Sequence, residues 1–311
     1  MFIILIFFNK VKKIKGLSSY SFYSKVRSMK SETDLLHILI IVKVNNSGAS
    51  LLGVEITNWL YKKGHHTTLL EDISNIDAYS KTIFDFIIVL GGDGTMLRVA
   101  RAFVDNPTPL IGVNFGRVGF LAELSINTWK AGLLTILEKK HSLVKRTALG
   151  WNIFRENKIL YSGYAINDVV VNRGALSRVI TLDVCVEAEP ISTIRADGII
   201  FSSPVGSTGY AVSAGGPLVH PANNILLVTA ICPYLCNFPA MVLPHTMPVS
   251  VTLHQAPIET FAAIDGQENY ALKTNDSVEV FCIPDAVYFI RIGAEHYFTP
   301  LRKRGFIHGL H

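Results

Sequence analysis

Phe84-Asp-Phe-Ile-Ile-Val-Leu-Gly-Gly-Asp-Gly-Thr95 is the stretch that decides the fold. Its first half is apolar and rich in β-branched residues, the composition of a strand buried on both faces of a parallel sheet. Its second half is Gly91-Gly92-Asp93-Gly94-Thr95, and Met96 to Phe103 follows as an amphipathic helix. A strand that runs through a glycine loop into a helix N-terminus suits an anion, because backbone N–H groups and the helix dipole both face it. The loop is not a Walker motif, since no Gly-Lys-Ser/Thr follows. Nor is it G-x-G-x-x-G, whose third glycine is missing. An Asp among incoming phosphates is electrostatically awkward, which suggests that it either holds Mg2+ or takes a proton from an attacking hydroxyl. An Asp-Gly turn with a capping side chain explains the same residues without chemistry, and this motif alone leaves both readings open.

Upstream, His37 to Val44 reads as a buried strand, and Leu51, Leu52, Val54, Ile56, Trp59 and Leu60 recur at helical spacing. Lys62-Lys63-Gly64 closes that helix, and Thr67 to Leu70 is a second strand. This β-α-β start predicts a Rossmann-like α/β domain with a parallel sheet, and a ligand at the carboxyl ends of its strands. Downstream, Pro109 to Val113 is a fourth strand. Asn114 to Phe120 is a glycine-bearing loop whose Phe120 is placed to stack on a base, and Asn127 to Lys140 is a helix. After Lys145 the texture changes to short alternating strands, from Thr147 to Val280, with a helix only near Thr208 to Gly215. That predicts a mostly β, sandwich-like second domain. The expected division is 1–36 as a disordered extension, 37–145 as the α/β domain and 146–295 as the β-rich domain. The basic C-terminal segment 296–311 is expected to pack back on the first.

A second stretch carries site-like composition: Arg195-Ala-Asp-Gly-Ile-Ile-Phe-Ser-Ser-Pro-Val-Gly-Ser-Thr-Gly-Tyr-Ala-Val-Ser-Ala-Gly-Gly-Pro217. It combines polar anchors (Arg195, Asp197), an apolar strand (Ile199 to Phe201), a turn built on Pro204, Gly206 and Gly209, and the hydroxyls of Ser207, Thr208 and Ser213. Glycines admit close backbone approach and hydroxyls give adaptable hydrogen bonds. A plain strand–turn–strand corner accounts for the composition equally well.

The 311 residues are 49% hydrophobic and 17% charged, enough for two packed domains. The net charge of +5 arises at one end. Residues 1–30 hold seven Lys/Arg and no acid, and the remaining 22 basic residues face 24 acidic ones, a net of −2. The body is therefore not basic, and nucleic-acid binding loses its electrostatic basis. No stretch reaches the roughly 18 apolar residues of a membrane span. At the N-terminus the apolar run Phe2 to Phe8 precedes the lysines, the wrong order for a secretory signal. Its Ser content and lack of acids loosely suit an organelle transit peptide; the preferred reading is a disordered extension, or an upstream start with Met29 as the true one. Cys232 and Cys236 form a lone C-x3-C, and with Cys185 and Cys282 are expected to be reduced core thiols. His65, His66, His220 and His245 show no metal spacing, and Asp72, Asp77 and Asp85 read as solvated turn residues.

With both stretches in view, the chain resembles the NAD kinases, which phosphorylate the adenosine ribose of NAD with ATP or polyphosphate. Gly91 to Thr95 resembles that family's Gly-Gly-Asp-Gly motif, Asn167-Asp168 its Asn-Glu/Asp pair, Arg195 to Pro217 its long signature, and Asp265-Gly266-Gln267 its late Asp-Gly-Gln turn. The resemblance covers roughly residues 37–300. The first motif is shared with lipid kinases, whereas the long signature is specific. It implies an α/β domain and a β-sandwich-like domain with the site between them. Gly91, Gly92, Gly94 and Thr95 would form the phosphate loop, and Asp93 would accept the proton of the ribose 2′-hydroxyl, with Gly94 beside it. Arg98 would contact NAD or the phosphates, Asn167 and Asp168 the ribose and base edge, and Arg178 the pyrophosphate or second nucleoside. Arg195, Asp197, Thr208, Gly209, Tyr210, Ala211, Val212, Ser213 and Gln267 would line the NAD pocket.

Also implied are Mg2+ carried mainly on the phosphates with no protein metal site, a homodimer or homotetramer whose neighbouring subunit completes the pocket, and a cytoplasmic setting. Several positions depart from the family pattern. Val205 and Gly209 stand where the signature has Thr and Ala, Asp168 is shorter than the more frequent Glu, and Pro233 to Pro239 lacks the usual His and Arg. Two alternatives remain, a lipid kinase sharing the Gly-Gly-Asp-Gly loop and a non-catalytic dinucleotide sensor. The long signature argues against the first and the intact Asp93 against the second.

Overall fold

A computed structural model describes residues 35–43, 45–115, 119–174, 178–255, 259–293 and 297–307. The expectations for residues 1–34, for Val44 at the end of the first strand, for 116–118 of the glycine-bearing loop, and for 296 and 308–311 lie outside them.

The first half alternates strand and helix: β1 (His37–Val42), α1 (Ser47–Lys62), β2 (His66–Leu70), β3 (Phe86–Leu90), α2 (Asp93–Ala102), β4 (Leu110–Asn114), β5 (Leu124–Ser125) and α3 (Trp129–Leu137). α1 starts where the Asn46 side chain accepts from the Ala49 N–H at 3.0 Å, and ends in Gly64 at φ +85°. The strands pair in parallel in the order β2-β1-β3-β4. Their side chains alternate by face. Ile38, Ile40, Phe86 and Ile88 pack under α1 and α3, while Leu39, Ile41, Ile87 and Val89 pack against Met96, Val99 and Phe103. Helices on both faces explain why these strands are apolar throughout rather than alternating.

The second half continues with β6 (Ser142–Arg155), β7 (Lys158–Ala165), β8 (Asp168–Arg173), β9 (Ile180–Val186), β10 (Glu189–Ala196), β11 (Gly198–Ser202), α4 (Tyr210–Ser213), β12 (Ile225–Ile231), β13 (Met241–Pro244), β14 (Val249–Gln255), β15 (Thr260–Ile264), β16 (Glu268–Leu272), β17 (Ser277–Arg291) and α5 (Phe298–Lys303). A six-stranded antiparallel sheet, β13-β12-β11-β8-β15-β16, packs on the β6, β9, β14 and β17 part of an 11-stranded sheet. Between them lie Leu149, Trp151, Val169, Leu182, Phe201 and Val251, all buried. The chain is thus an α/β N-terminal domain with a mostly β, sandwich-like C-terminal one.

Three details differ from the sequence expectation. Not all the C-terminal strands are short: β6 has 14 residues and β17 has 15. These two pair along their lengths, and Phe289 of β17 also pairs in parallel with Leu110 of β4, so one sheet runs through both halves. The pair spans the two bodies, with its register broken between Ile283 and Val287 and Asp285 at φ +55°. The expected boundary at 145/146 falls inside β6. The second difference is at the glycine loop, where the helix begins at Asp93 rather than Met96, with Gly92 as its N-cap. The third is the expected 208–215 helix, which is split into a 3₁₀ turn at Val205–Thr208 and the short α4, because Gly209 between them is non-helical (φ −95°, ψ −129°).

Candidate functional site

The carboxyl end of β3 delivers Gly91 to Gly94, and Gly91 N–H bonds the Val113 carbonyl of β4 at 3.0 Å. Thr95 folds back so closely that a β-carbon on Gly91 would lie 2.7 Å from its hydroxyl. Asp93 does not cap its own helix. Its carboxylate accepts from the Phe120 N–H at 3.0 Å and the Leu121 N–H at 3.2 Å, and pairs with Arg304 at 3.3 Å. Gly119 is required there, because any β-carbon would collide with the Asp93 carboxylate. The Phe120 ring carries Arg304 at 4.3 Å and Phe306 at 6.0 Å. The C-terminal segment reaches both halves, since Tyr297 also donates to the Val219 carbonyl at 3.0 Å.

A second cluster faces the first across the domains. Asp265 and Gly266 turn at φ +51° and +63°, joining β15 to β16. The Asp265 carboxylate, fully buried, accepts from the N–H groups of Ile166, Asn167 and Asp168 at 2.7–3.2 Å. It therefore shapes the Asn167-Asp168 corner from behind, a role the sequence reading missed. Burial raises its pKa, and the three N–H bonds and Arg101 oppose that. Arg101 donates to Asp265 at 3.1 Å, Glu268 at 2.6 Å and Gln267 at 3.4 Å, and Gln267 in turn donates to the Gly94 carbonyl at 2.9 Å. The arginine that ties α2 to the second domain is Arg101, not Arg98. The signal was available, for Arg101 lies two helical turns beyond Gly94. Arg98 lies toward Asp72, whose carboxyl is kept low mainly by hydrogen bonds from Ser74 and less by Arg98.

Asn167 and Asp168 face Gly209, where a β-carbon would lie 3.8 Å from the Asn167 amide nitrogen and 3.7 Å from an Asp168 oxygen. Asp168 is 7% exposed, and burial, then the Asp265 charge, pushes its carboxyl up to about 7. Gly206 packs so tightly on the Asn167 carbonyl that a β-carbon would collide with it. Ser203 donates to the Ile166 carbonyl at 2.6 Å, Ser207 to Pro204 at 2.8 Å and Thr208 to Val205 at 3.3 Å. The hydroxyls of Ser207 and Thr208 therefore build the turn. Tyr210 and Ser213 are exposed, Val212 is half-buried and Ala211 is buried.

Arg178, Arg195 and Asp197 are not brought to this corner. Asp197 pairs with Arg173 at 2.5 Å, and Arg195 lies 5.3 Å over the Tyr234 ring. Arg195 ends β10 and Asp197 precedes β11, whose far end, Ser202, is paired with Asp168. Five strand residues put the two ends about 17 Å apart. Arg178, exposed, leads into β9.

A cavity of about 240 Å³ adjoins the Asp93 loop, walled by Gly119 to Glu123, the Pro204 to Thr208 turn and the C-terminal helix. Among the described residues no three His, Cys, Asp or Glu side chains cluster as a metal site, and no helix is long and apolar enough to cross a membrane. Two expectations need correcting. Cys232 and Cys236 are exposed rather than core. Asp85 is not merely a solvated turn residue, for it accepts from the His37 N–H at 2.8 Å and anchors β1.

The family model of the ATP-NAD kinase N-terminal domain matches residues 71–141, and that of the ATP-NAD kinase C-terminal domain residues 166–292. The NAD kinase of Nitratidesulfovibrio vulgaris (strain Miyazaki F) is 42% identical over 279 residues, covering 88% of this chain and 98% of that protein. That of Oleidesulfovibrio alaskensis is 40% identical over 276 residues, covering 88% and 94%. Among solved structures, yeast NADH kinase complexed with NADH superposes with a TM-score of 0.76 at 21% identity, covering 89% of each chain. An NAD kinase from Archaeoglobus fulgidus in complex with ATP superposes with a TM-score of 0.68 at 22% identity, covering 86% of this chain and 98% of that one.

Proposed function

The chain belongs to the NAD kinase family and is a kinase acting on NAD, and from that premise we propose how its residues divide the work. The adenosine 2′-oxygen of NAD attacks the γ-phosphorus of ATP, or the terminal phosphorus of polyphosphate. The new O–P bond forms as the bridging P–O bond breaks, ADP or the shortened polyphosphate leaves, and the 2′-hydroxyl proton passes to Asp93. One observation carries this assignment: Asp93 opens α2 at the glycine loop with its carboxylate held by the Phe120 and Leu121 N–H groups. A fixed carboxylate orients the hydroxyl, and a loose phosphoryl transition state asks more of positioning than of base strength. Gly91, Gly92, Gly94 and Thr95 present the helix N-terminus to the transferred phosphate.

Asn167 and Asp168 hydrogen-bond the ribose and base edge. Burial and the Asp265 charge favour the protonated form of Asp168, which can donate a hydrogen bond as well as accept one. Gly209, Tyr210, Ala211, Val212 and Ser213 form the adjoining wall. Arg178, Arg195 and Asp197 take up the far part of the dinucleotide in a second copy of the chain, a homodimer or homotetramer; their distance from Asp168 within one chain favours this. Mg2+ would be held on the donor's phosphate oxygens, with Asp93 the carboxylate of the loop beside them. When bound, it would shield the charge of the donor's phosphates. The free cysteines suit a reducing, cytoplasmic setting. The lipid-kinase alternative is not favoured, since both halves of the chain match NAD kinase domains.

A coupled assay of NADP formation, with NAD, Mg2+ and either ATP or polyphosphate, tests this reading. Asp93→Asn is expected to lower turnover by about 10²–10⁴, the span of a general base, with NAD affinity kept. Near-normal turnover in that variant would remove Asp93 from its role.

A further inference from the structure

The cavity beside the Asp93 loop shares the Pro204 to Thr208 turn with the long signature, but its charged walls belong to no sequence motif. Four cations line it, Arg146, Arg291, Lys303 and Arg304, against one carboxylate, Glu123. Glu123 is engaged by Arg291 in an ion pair. Arg146 is 5% exposed and donates to the Lys145 carbonyl at 3.0 Å. Arg304 is held by Asp93 at 3.3 Å, while Lys303 is exposed at the cavity's mouth. Arginine forks and a lysine point charge are the donors that bind phosphate oxygens best. The cavity also has a direct line to the reacting residue, because Arg304, one of its walls, pairs with Asp93 at 3.3 Å.

We propose that this cavity holds the phosphate chain of the phosphoryl donor, with Lys303 and Arg304 as its contacts, and that Arg304 exchanges Asp93 for a donor phosphate as the donor enters. The proposal rests on the NAD kinase reading for the donor's identity. Before the exchange, the guanidinium occupies the carboxylate that must accept the 2′-hydroxyl proton. After it, the guanidinium lies on the phosphates and Asp93 faces the hydroxyl. Donor binding and exposure of the proton acceptor are then one event. The C-terminal segment is part of the active site, and without a donor the carboxylate stays masked.

The experiment uses the full chain and two variants, Lys303→Ala and Arg304→Ala. Binding of inorganic tripolyphosphate is measured by calorimetry without NAD, and NADP formation is measured at varied ATP and varied NAD. Lys303 is exposed, so its truncation leaves the fold intact, which a thermal melt verifies. Lys303→Ala is expected to weaken tripolyphosphate and raise KM for ATP about tenfold, the loss of one charge-assisted contact, with KM for NAD within twofold. Arg304→Ala is expected to weaken the donor similarly and to lower kcat as well. Unchanged donor affinity in both variants, or a rise in KM for NAD in place of that for ATP, overturns the proposal. Tripolyphosphate binding that depends on Lys303, without NADP formation by the wild type, upholds the cavity and sinks the kinase reading. NADP formation with donor affinity insensitive to both variants does the reverse.

Discussion

Replacing Asp168 by asparagine should stabilise the protein at alkaline pH, while weakening NAD binding. The carboxyl is 7% exposed, and its pKa rises from 3.8 to about 7 because burial, then the Asp265 charge, disfavours the ionised form. A carboxyl whose folded-state pKa lies above its unfolded one binds more protons when folded. Stability therefore falls as pH rises between the two values. The window here runs from about pH 4 to pH 7. A shift of three units corresponds to about 4 kcal/mol in full, at 1.36 kcal/mol per unit. Part of that penalty has already accrued by pH 5, so the change from pH 5 to pH 8 is about 2–3 kcal/mol. The amide of the Asp168→Asn variant does not titrate. Urea unfolding of wild type and variant at both pH values reads the difference. The variant should gain about 2–3 kcal/mol on wild type between pH 5 and pH 8, whatever constant offset the amide introduces. An equal stability difference at the two pH values would refute the reasoning.

Arg101→Met removes the guanidinium from fully buried Asp265. Breaking a buried pair costs about 3–5 kcal/mol, and because three N–H bonds remain on Asp265 the expected loss in urea unfolding is about 2–3 kcal/mol, with KM for NAD raised more than kcat is lowered. A KM unmoved by the substitution would show that the Asn167-Asp168 corner stands without Arg101. Gly206→Ala would drive a methyl into the Asn167 carbonyl. It should cost about 1–3 kcal/mol, the range for overpacking, and lower NAD affinity; a thermal melt and NAD titration indistinguishable from wild type would contradict that contact.

The motifs were legible because their chemistry is local. Gly91 to Thr95 follows an apolar strand and precedes a helix, an arrangement visible over a dozen neighbouring residues. The long signature showed its glycines but not their purposes. That Gly206 exists to clear the Asn167 carbonyl, and Gly119 to clear Asp93, depends on pairs far apart in the chain. Arg101 was passed over for Arg98, since residues three apart on one helix differ only in what lies opposite them. The cavity was not legible in the sequence, for only its Pro204 to Thr208 wall lies in a motif, and the rest comes from Gly119 to Glu123, Arg146, Arg291 and Lys303 to Arg304.

The sequence by itself determined the α/β start, the change to β structure after residue 145, and the motifs that mark a phosphoryl-transfer site, because strand and helix periods and glycine turns are written over a few neighbouring residues. Tertiary structure decided the rest. It split the residues expected to line an NAD pocket into a corner around Asp168 and a distant group around Arg195, because the two ends of β11 are a strand's length apart. It placed Arg304 on Asp93, 211 residues away along the chain. Such a pairing is set by how β17 runs through the 11-stranded sheet back to β4, and no local pattern encodes it.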